Sequence, residues 1–574
     1  MSDRMRVIPF EKLVNWIIEE YRREKTIFGI AEKYFFRSAS GKDLHLHGER
    51  LGSPLGPAAG PHTQLAQNLA AAYLCGGRYF ELKTVQVLDR LTFPKPCINA
   101  MDECYNTEWS TELSIEEALD EYIKGWFLLH LLGRELFDLD QRNFIFNMSI
   151  GYDLEGIRST KVDHFIEGLK EASSTGIFHQ CRAILKKEAG RFSKISEDFI
   201  DGISPVICRS VALSTMHGCP PPEIEAICRH LLLEKKLHTT VKLNPTLLGY
   251  DFVRSTLDQM DYDYIKLTGG TFDKDLQYSD ALSLLERLIA LAAECDLEFG
   301  IKISNTLPVL ITRTELAGEQ MYLSGKPLYA LAINLAERLA RDFAGQLKIS
   351  YSGGADRSNT FAILETGIKP VTMVTTLLKP SGYRRLTKLA EIAEQVEIEE
   401  TTAGINLDRL KATAESAINA ADYRKKEKDA IPKVAKMLPL FDCRDSCSIC
   451  VAVCPNRSNV AVAVQGSDFK FGRQILHLDG SCNECGNCAT FCPEGGKPYL
   501  EKPTLFRNTE DFDASSNRGF VVVGEGPGKL IKVRFENRVM TLPLEQWEES
   551  NDTDCDPALL QLIRVILSNY NYLC

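Results

Sequence analysis

Eight of the eighteen cysteines fall in two short runs late in a 574-residue chain. CNECGNCATFCP, 482–493, sets Cys482, Cys485, Cys488 and Cys492 as C-x2-C-x2-C-x3-C-P. With that spacing three thiolates wrap one iron–sulfur cube, while the fourth, before proline, reaches a second cube. CRDSCSICVAVCP, 443–455, repeats the pattern with one more residue in its first gap, so Cys443, Cys447, Cys450 and Cys454 read as C-x3-C-x2-C-x3-C-P. Exchange of the fourth ligands gives two 4Fe-4S clusters, one on Cys443, Cys447, Cys450 and Cys492, the other on Cys482, Cys485, Cys488 and Cys454. Zinc fits this pattern poorly, because zinc sites pair two C-x2-C knuckles across a spacer. Two neighbouring cubanes pass single electrons, so a redox site is expected at each end of such a wire.

The rest of the composition narrows the setting. A formal charge of -11 argues against nucleic acid and anionic membrane as partners and leaves small molecules and proteins. The first 25 residues carry charges every few positions, and no apolar run approaches a membrane span, so a cytoplasmic protein is expected. In a reducing cytoplasm the clustered cysteines read as metal ligands. The scattered ones (Cys75, Cys97, Cys104, Cys181, Cys208, Cys219, Cys228, Cys295, Cys555, Cys574) read mostly as buried thiols.

The elements that must position such a site come upstream. Between about 50 and 380, short apolar runs alternate with amphipathic ones, the pattern of repeated βα units. Strand candidates are 53–60, 79–84, 143–150, 206–214, 239–245, 262–268, 297–304, 347–354 and 371–376, nine segments for the eight slots of a (β/α)8 barrel. PEIEAICRHLLLEKK and YSDALSLLERLIALAAE space their apolar residues as one helical face. In a TIM barrel the loops HGCPPP, NPTLLG, TGGTF, SNTLP and SGGAD would gather on the active face. The expected organisation is an N-terminal helical extension (1–50), an α/β TIM barrel (51–381), a helical linker (382–440), a ferredoxin-like 2x4Fe-4S segment (441–500), and a β-rich tail with a C-terminal helix (501–574). The charged run YRKKEKD at 423–429 reads as a solvated helical face. GEGPG, 524–528, reads as a hairpin turn, since its glycines do not fit G-x-G-x-x-G.

SPLGPAAGPHTQLAQNLAAAYLCGGRYFELKT, 53–84, resembles the opening of the dihydroorotate and dihydropyrimidine dehydrogenase barrels. That resemblance implies FMN, with Ala59 and Gly60 near the flavin ring and Lys83 and Thr84 bonded to it. A lysine ammonium near N1 stabilises reduced flavin. YNTEWS (105–110) is similar to that family's substrate-loop asparagine followed by an acid, LSTMHGCPPPEIEAICR (213–229) to its active loop, and SNT (304–306) to its second substrate motif. These imply substrate contacts from Asn106, Ser214, Asn305 and Thr306, whose amides and hydroxyls suit the polar edges of a planar ring. Gly325, Gly353, Gly354, Thr375 and Thr376 follow in family order as donors to the FMN phosphate. Lys242 in VKLNP and Lys302 in GIKISN both suit the second flavin lysine. Lys242 is favoured, because choosing Lys302 leaves too little chain for the next βα unit, and 262–268 is then the surplus strand. The whole chain resembles the bacterial selenate reductase large-subunit family, which joins such a barrel to iron–sulfur motifs and is associated with purine catabolism. Its longer members carry an FAD- and NAD(P)-binding module that these 574 residues are expected to lack.

Two departures bear on chemistry. Thr215 stands where dihydropyrimidine dehydrogenase has a cysteine acid, and Ala212 stands where an asparagine precedes the motif. A hydroxyl is a weak acid, so Thr215 would relay a proton from water or from His217, and Cys219 is the rival donor. The expectation is an FMN and iron–sulfur oxidoreductase that reduces, or reversibly oxidises, a planar nitrogen heterocycle. Urate is the first candidate, because Ala212 opens space, and a pyrimidine is the second. Electrons would come from a separate FAD/NAD(P)H-dependent subunit or a ferredoxin, in an oligomer or multi-subunit complex. The competing reading is a non-catalytic electron-transfer scaffold of a selenate reductase or molybdenum hydroxylase type assembly, favoured by loss of the cysteine acid.

Overall fold

The computed structural model of the chain describes residues 4–41, 44–215, 217–397, 404–426, 437–524, 528–536, 538–544 and 556–574. It separates into two compact units, Lys33–Leu377 with Tyr383–Lys428, and Met1–Glu32 with Leu378–Gly382 and Asp429–Cys574.

The first unit is built on eight parallel strands: β1 Leu55–Pro57, β2 Tyr79–Glu81, β3 Ile145–Ile150, β4 Cys208–Leu213, β5 His238–Leu243, β6 Phe299–Ile303, β7 Ile349–Tyr351 and β8 Val371–Met373. They neighbour one another in the order β1-β8-β7-β6-β5-β4-β3-β2. The ring closes where the Arg78 N–H donates to the Leu55 carbonyl at 2.8 Å. Gly56 sits at that seam, and a Cβ there would fall 1.6 Å from the Tyr79 carbonyl oxygen, so only glycine lets β1 meet β2. The result is a TIM barrel. Its strands read as apolar runs because parallel strands are covered on both faces, and β2, β3, β6, β7 and β8 are buried along their whole length.

Eight of the nine candidate segments become these strands, and 262–268 contains none. Arg254 explains the difference. Its guanidinium, on the helix Tyr250–Gln259, donates to the carbonyls of Ile265 at 2.5 Å and Tyr262 at 3.1 Å, occupying acceptors that a strand would offer to its neighbours. Tyr278–Glu294 is one helix, as its spacing predicts. Pro221–Arg229 loosens into a π-helical turn over His230–Glu234.

Four strands absent from the candidates, Ile98–Asn99, Glu103–Asn106, Leu307–Leu310 and Gln320–Gly325, make an antiparallel accessory sheet. It is formed by chain that follows β2 and β6. Helices Arg384–Ala393 and Leu407–Asn419, from the expected linker, belong to the barrel unit, with Leu386, Leu389, Leu410 and Ala414 buried. The expected solvated run at 423–429 begins with buried Tyr423, whose ring lies 4.5 Å from that of Tyr329, while residues 427–429 lie outside the described residues.

In the second unit, residues 459–543 contribute one six-stranded sheet: Asn459–Ala463, Arg473–Leu478, Thr504–Leu505, Gly519–Val523, Leu530–Phe535 and Arg538–Pro543, neighbours in that order. The tail and the cysteine segment therefore share one sheet. Val523 pairs with Leu530 across an antiparallel hairpin, with residues 525–527 outside the described ones. The C-terminal helix is Pro557–Asn569. Among the scattered cysteines, Cys75, Cys97, Cys104, Cys181, Cys208 and Cys228 are buried, and Cys555 lies outside the described residues. No described helix is long and apolar enough to cross a membrane.

Candidate active site and cysteine cluster

The loops expected on the active face are tied to one another by hydrogen bonds at the C-terminal strand ends. Asn305 N–H donates to the Leu243 carbonyl at 2.9 Å and Ser304 N–H to the Ser352 carbonyl at 2.5 Å, which joins the ends of β5, β6 and β7. Asp275, just beyond TGGTF, accepts from Gly218 N–H at 2.7 Å, Thr246 Oγ1 at 2.8 Å and Asn244 Nδ2 at 3.1 Å. That carboxylate thus links the loops after β4 and β5 to the segment after TGGTF.

A cleft there is lined by Thr215, Cys219, Lys242, Asn244, Thr246 and Asp275. Burial pushes the Cys219 thiol up to about 11, with Glu223 and Asp153 adding to the effect. Ser214 continues β4 through its N–H to the Ile150 carbonyl at 2.8 Å. Ala212 is fully buried in β4.

Three barrel lysines have different surroundings. Lys83 is buried and ion-paired with buried Glu108, the acid of the YNTE motif. Lys302 is ion-paired with Glu81 and lies 3.3 Å from Thr372 Oγ1, and both charged side chains are 1% exposed. Lys242 is the register partner of Lys302 on the neighbouring strand. Among the described residues its ammonium takes neither a hydrogen bond nor an ion pair. Loss of solvation, then the positive charges of Lys302 and Lys83, outweigh Glu81 and pull Lys242 down to about 8.

The remaining site candidates frame the same strand ends. Ala59 N–H donates to Glu81 at 3.1 Å. Gly60 is packed on Val374, which a Cβ would meet at 2.6 Å. Thr84 Oγ1 lies 2.9 Å from Ser149 Oγ. Asn106 pairs with Tyr322 in the accessory sheet. Thr375 Oγ1 is 2.9 Å from Ser324 Oγ, beside Gly325, and Thr376 Oγ1 donates to the Ala355 carbonyl at 2.6 Å. Gly354 has φ +68°, and a Cβ on it would lie 2.3 Å from the Gly325 carbonyl oxygen, so the SGG turn and the Gly325 turn approach as only glycines allow. Asn305 and Thr306 are half-buried at the end of β6. Ser304 Oγ, between β6 and Gly353, is buried without a partner among the described residues.

Sequence reasoning missed three groups. Asp275 lies in a DKD triplet that looks like a solvated charge run, and Glu81 looks like an ordinary strand residue, while Ser304 opens the quoted SNT without being singled out. Asn244 and Thr246, inside the quoted NPTLLG, and Ser304, inside SNT, lay in motifs that carried a signal.

In the second unit, Cys450, Cys454, Cys485, Cys488 and Cys492 are buried and Cys443, Cys447 and Cys482 half-buried. Burial pushes the Cys450 thiol up, and Cys443, Cys447 and, more weakly, Cys454 add to it. Burial likewise raises Cys482, whose cysteine neighbours are Cys454, Cys488 and Cys485. Cys454 Sγ accepts Ser458 N–H at 3.2 Å and Cys482 Sγ accepts Glu484 N–H at 3.3 Å. Among the described residues no three of these sulfurs lie within 4.8 Å of one another.

A family model described as "Oxidoreductase YgfK, N-terminal TIM-barrel domain" matches residues 28–425. The chain belongs to that family. A relative described as "Putative oxidoreductase YgfK", from Escherichia coli (strain K12), is 46% identical over 478 residues, covering 80% of this chain and 46% of the relative. The relative of the same description from Escherichia coli O157:H7 gives the same figures. The chain spans about half the length of these curated family members. Among solved structures, ligand-free DHODH from Eimeria tenella matches at TM-score 0.40 and 16% identity, covering 70% of this chain and 98% of that one. The same enzyme with ferulenol gives 0.41 and 15%, covering 69% and 94%. Those two scores are too low to inform this family's chemistry.

Proposed function

We propose that the barrel is the catalytic part of an oxidoreductase that binds FMN at its C-terminal strand ends and reduces, or reversibly oxidises, a planar nitrogen heterocycle, urate first and a pyrimidine second. The observation that carries this reading is Lys242, a lysine on a barrel strand whose ammonium has no described partner and faces a cleft lined by hydroxyl, amide and thiol groups. A cation in such a place fits an electron-rich ligand that takes up negative charge. The unpartnered Ser304 hydroxyl and the Gly353–Gly354 turn fit the same group. Flavin, when bound, supplies hydride.

The chain's own residues do the rest. Lys242 holds positive charge beside the ligand. Lys83 is held by Glu108 and Lys302 by Glu81, so Lys242 is the barrel lysine open to the cleft. Asn106, Ser214, Asn305 and Thr306 present polar groups to the edges of the heterocycle, and the loop carrying Thr215, His217 and Cys219 handles the proton. Gly325, Gly353, Gly354, Thr375 and Thr376 would hold the phosphate end.

The cysteine unit is proposed as a ferredoxin-like port for two 4Fe-4S clusters, with ligand sets Cys443/Cys447/Cys450/Cys492 and Cys482/Cys485/Cys488/Cys454. Burial and neighbouring cysteines disfavour the charged forms of Cys450 and Cys482, and metal is what relieves such thiols. Electrons would reach it from an FAD- and NAD(P)H-dependent protein or a ferredoxin, in the cytoplasm.

An absorption spectrum of the anaerobically purified chain tests the reading. Flavin bands that bleach or recover on adding urate support it. Iron–sulfur bands without flavin would overturn it and favour an electron-transfer scaffold, to which Thr215 in place of a cysteine acid also points.

A further inference from the structure

We propose that Asp275 is a positioning residue for the proton-transfer group of this site, fixing His217 as the histidine that holds the proton. The inference rests on the oxidoreductase reading above. His217 Nδ1 lies 2.8 Å from Asp275 Oδ2, within the loop after β4. Asp275 is 4% exposed and accepts three further hydrogen bonds, from Gly218 on Oδ1 and from Thr246 and Asn244 on Oδ2. Burial works to raise its carboxyl, but the hydrogen bond and charge of His217, with Thr246 and Gly218, prevail and hold it below the ordinary carboxylate range. Asn244 Nδ2 also lies 3.1 Å from His217 Nδ1, but it is as close to Asp275 Oδ2, to which it donates, so the shorter bond to the carboxylate puts the hydrogen on Nδ1 and fixes the tautomer.

The other nitrogen, Nε2, has no partner among the described residues. The ring is half-buried and stacks on Tyr322, with centroids 6.2 Å apart and planes 14° apart. Tyr322 is the strand partner of Asn106. His217 is thereby held beside the accessory-sheet residue proposed to grip the substrate. Thr215 has no described side-chain hydrogen bond through which to draw a proton, and the Cys219 thiol is pushed up to about 11. Asp275 neutralises the charge of a protonated His217, which neither rival group enjoys.

In the reductive direction, the Nε2 proton of the imidazolium passes to the ring atom next to the one that takes hydride, with reduced flavin as the hydride source. One double bond of the heterocycle gains two electrons and two hydrogens. The neutral imidazole left behind takes a proton from solvent.

The test uses the full chain with ring-15N histidine. Nitrogen shifts of neutral His217, assigned by its loss in His217→Gln, should show hydrogen on Nδ1, and Asp275→Asn should abolish that fixed tautomer. Hydrogen on Nε2 in the unaltered chain, or an unchanged tautomer in Asp275→Asn, would overturn the proposal whether or not a heterocycle is ever reduced. This measurement needs no turnover, so it stays informative if the oxidoreductase reading fails. With urate and a viologen donor, Asp275→Asn should lower kcat about tenfold or more at nearly unchanged KM. A raised KM at unchanged kcat would mean that Asp275 only anchors the loop.

Discussion

Histidine–carboxylate pairs stand at both ends of the barrel, and they differ in what they leave unused. At the N-terminal strand ends, His47 Nδ1 lies 3.1 Å from Glu298 Oε2, and Lys348 lies 2.7 Å from the same oxygen. His238, the first residue of β5, accepts Glu298 N–H through Nδ1 at 3.0 Å, and its ring stacks on His47 with planes 20° apart. The three ligating atoms crowd within 4.8 Å. Nearly parallel rings do not converge their lone pairs on one ion, and one His238 nitrogen is already an acceptor. Both Nδ1 atoms and the Glu298 carboxylate at that end are matched to one another or to Lys348, so the cluster reads as stability. At the C-terminal end the Lys242 ammonium, which lines a cleft, has no partner among the described residues, and neither has His217 Nε2. Unused capacity in a cleft, rather than residue type, separates a site from a clasp.

The Lys302–Glu81 pair lies toward the C-terminal ends of β6 and β2, on strands that run from one end to the other. Removing one partner of a buried pair leaves a charge uncompensated, at a cost of about 3–5 kcal/mol. Glu81→Gln should therefore lower the urea stability of the barrel by that amount and disturb both ends together. A shift confined to one end would show that the ends are not coupled through β2 and β6.

The sharpest contrast comes from exchanging the two histidines. His217→Gln should cut turnover about 100-fold or more and leave the thermal midpoint of the chain nearly unchanged. His47→Gln should leave turnover alone and lower stability by about 1 kcal/mol or less. If both variants lose activity equally, the distinction between site and clasp is wrong.

Lys242→Met should loosen flavin about tenfold, the scale of a lost hydrogen bond to a charged group. The flavin-free chain should respond in the opposite sense. Because the folded Lys242 sits at about 8, below its unfolded value, charging it opposes folding below pH 8, and that penalty fades as pH rises toward the unfolded value. Lys242→Met should thus stabilise the flavin-free chain at pH 7 and have little effect above about pH 10.5. A loss of stability at pH 7 would mean that the ammonium has a partner.

How much of this could be read in advance follows from how local each signal is. Strands β1 to β8 showed as apolar runs, because burial on both faces leaves its mark in consecutive residues. The cysteine spacing is likewise local. The Lys302–Glu81 pair joins residues 221 positions apart, and nothing in FELKT or GIKIS announces that their side chains meet inside the barrel. Asp275 is the same case: a DKD triplet resembles any solvated run until folding buries its second acid against the loop after β4. The surplus strand at 262–268 depended on Arg254 taking its carbonyls, a contact decided by helix geometry rather than by strand propensity.

The smallest effect concerns acid. The His47 hydrogen bond, against the pull of burial and with Lys348 helping, holds Glu298 down at about 2, below its ordinary value near 4.5. A carboxylate whose folded value is depressed contributes stability above its unfolded value and loses it as pH falls toward the folded one. His238 acts in the same direction by another route. Burial, with His47 beside it, lowers it to about 4, so between pH 6.5 and 4 the unfolded chain takes up a proton that the folded chain refuses. Together they predict that stability falls as pH drops from about 6.5 to 2. Solvent screening of these half-exposed groups keeps the total on the order of 1 kcal/mol. A His238→Gln, Glu298→Gln double variant should flatten that part of the pH–stability curve, as measured by denaturant midpoints at each pH. The same variant should leave the pH dependence of urate turnover as it was, since the C-terminal end keeps its own histidine and carboxylate. A turnover profile that moved along with the stability curve would make one proton network of the two ends and erase the contrast between them.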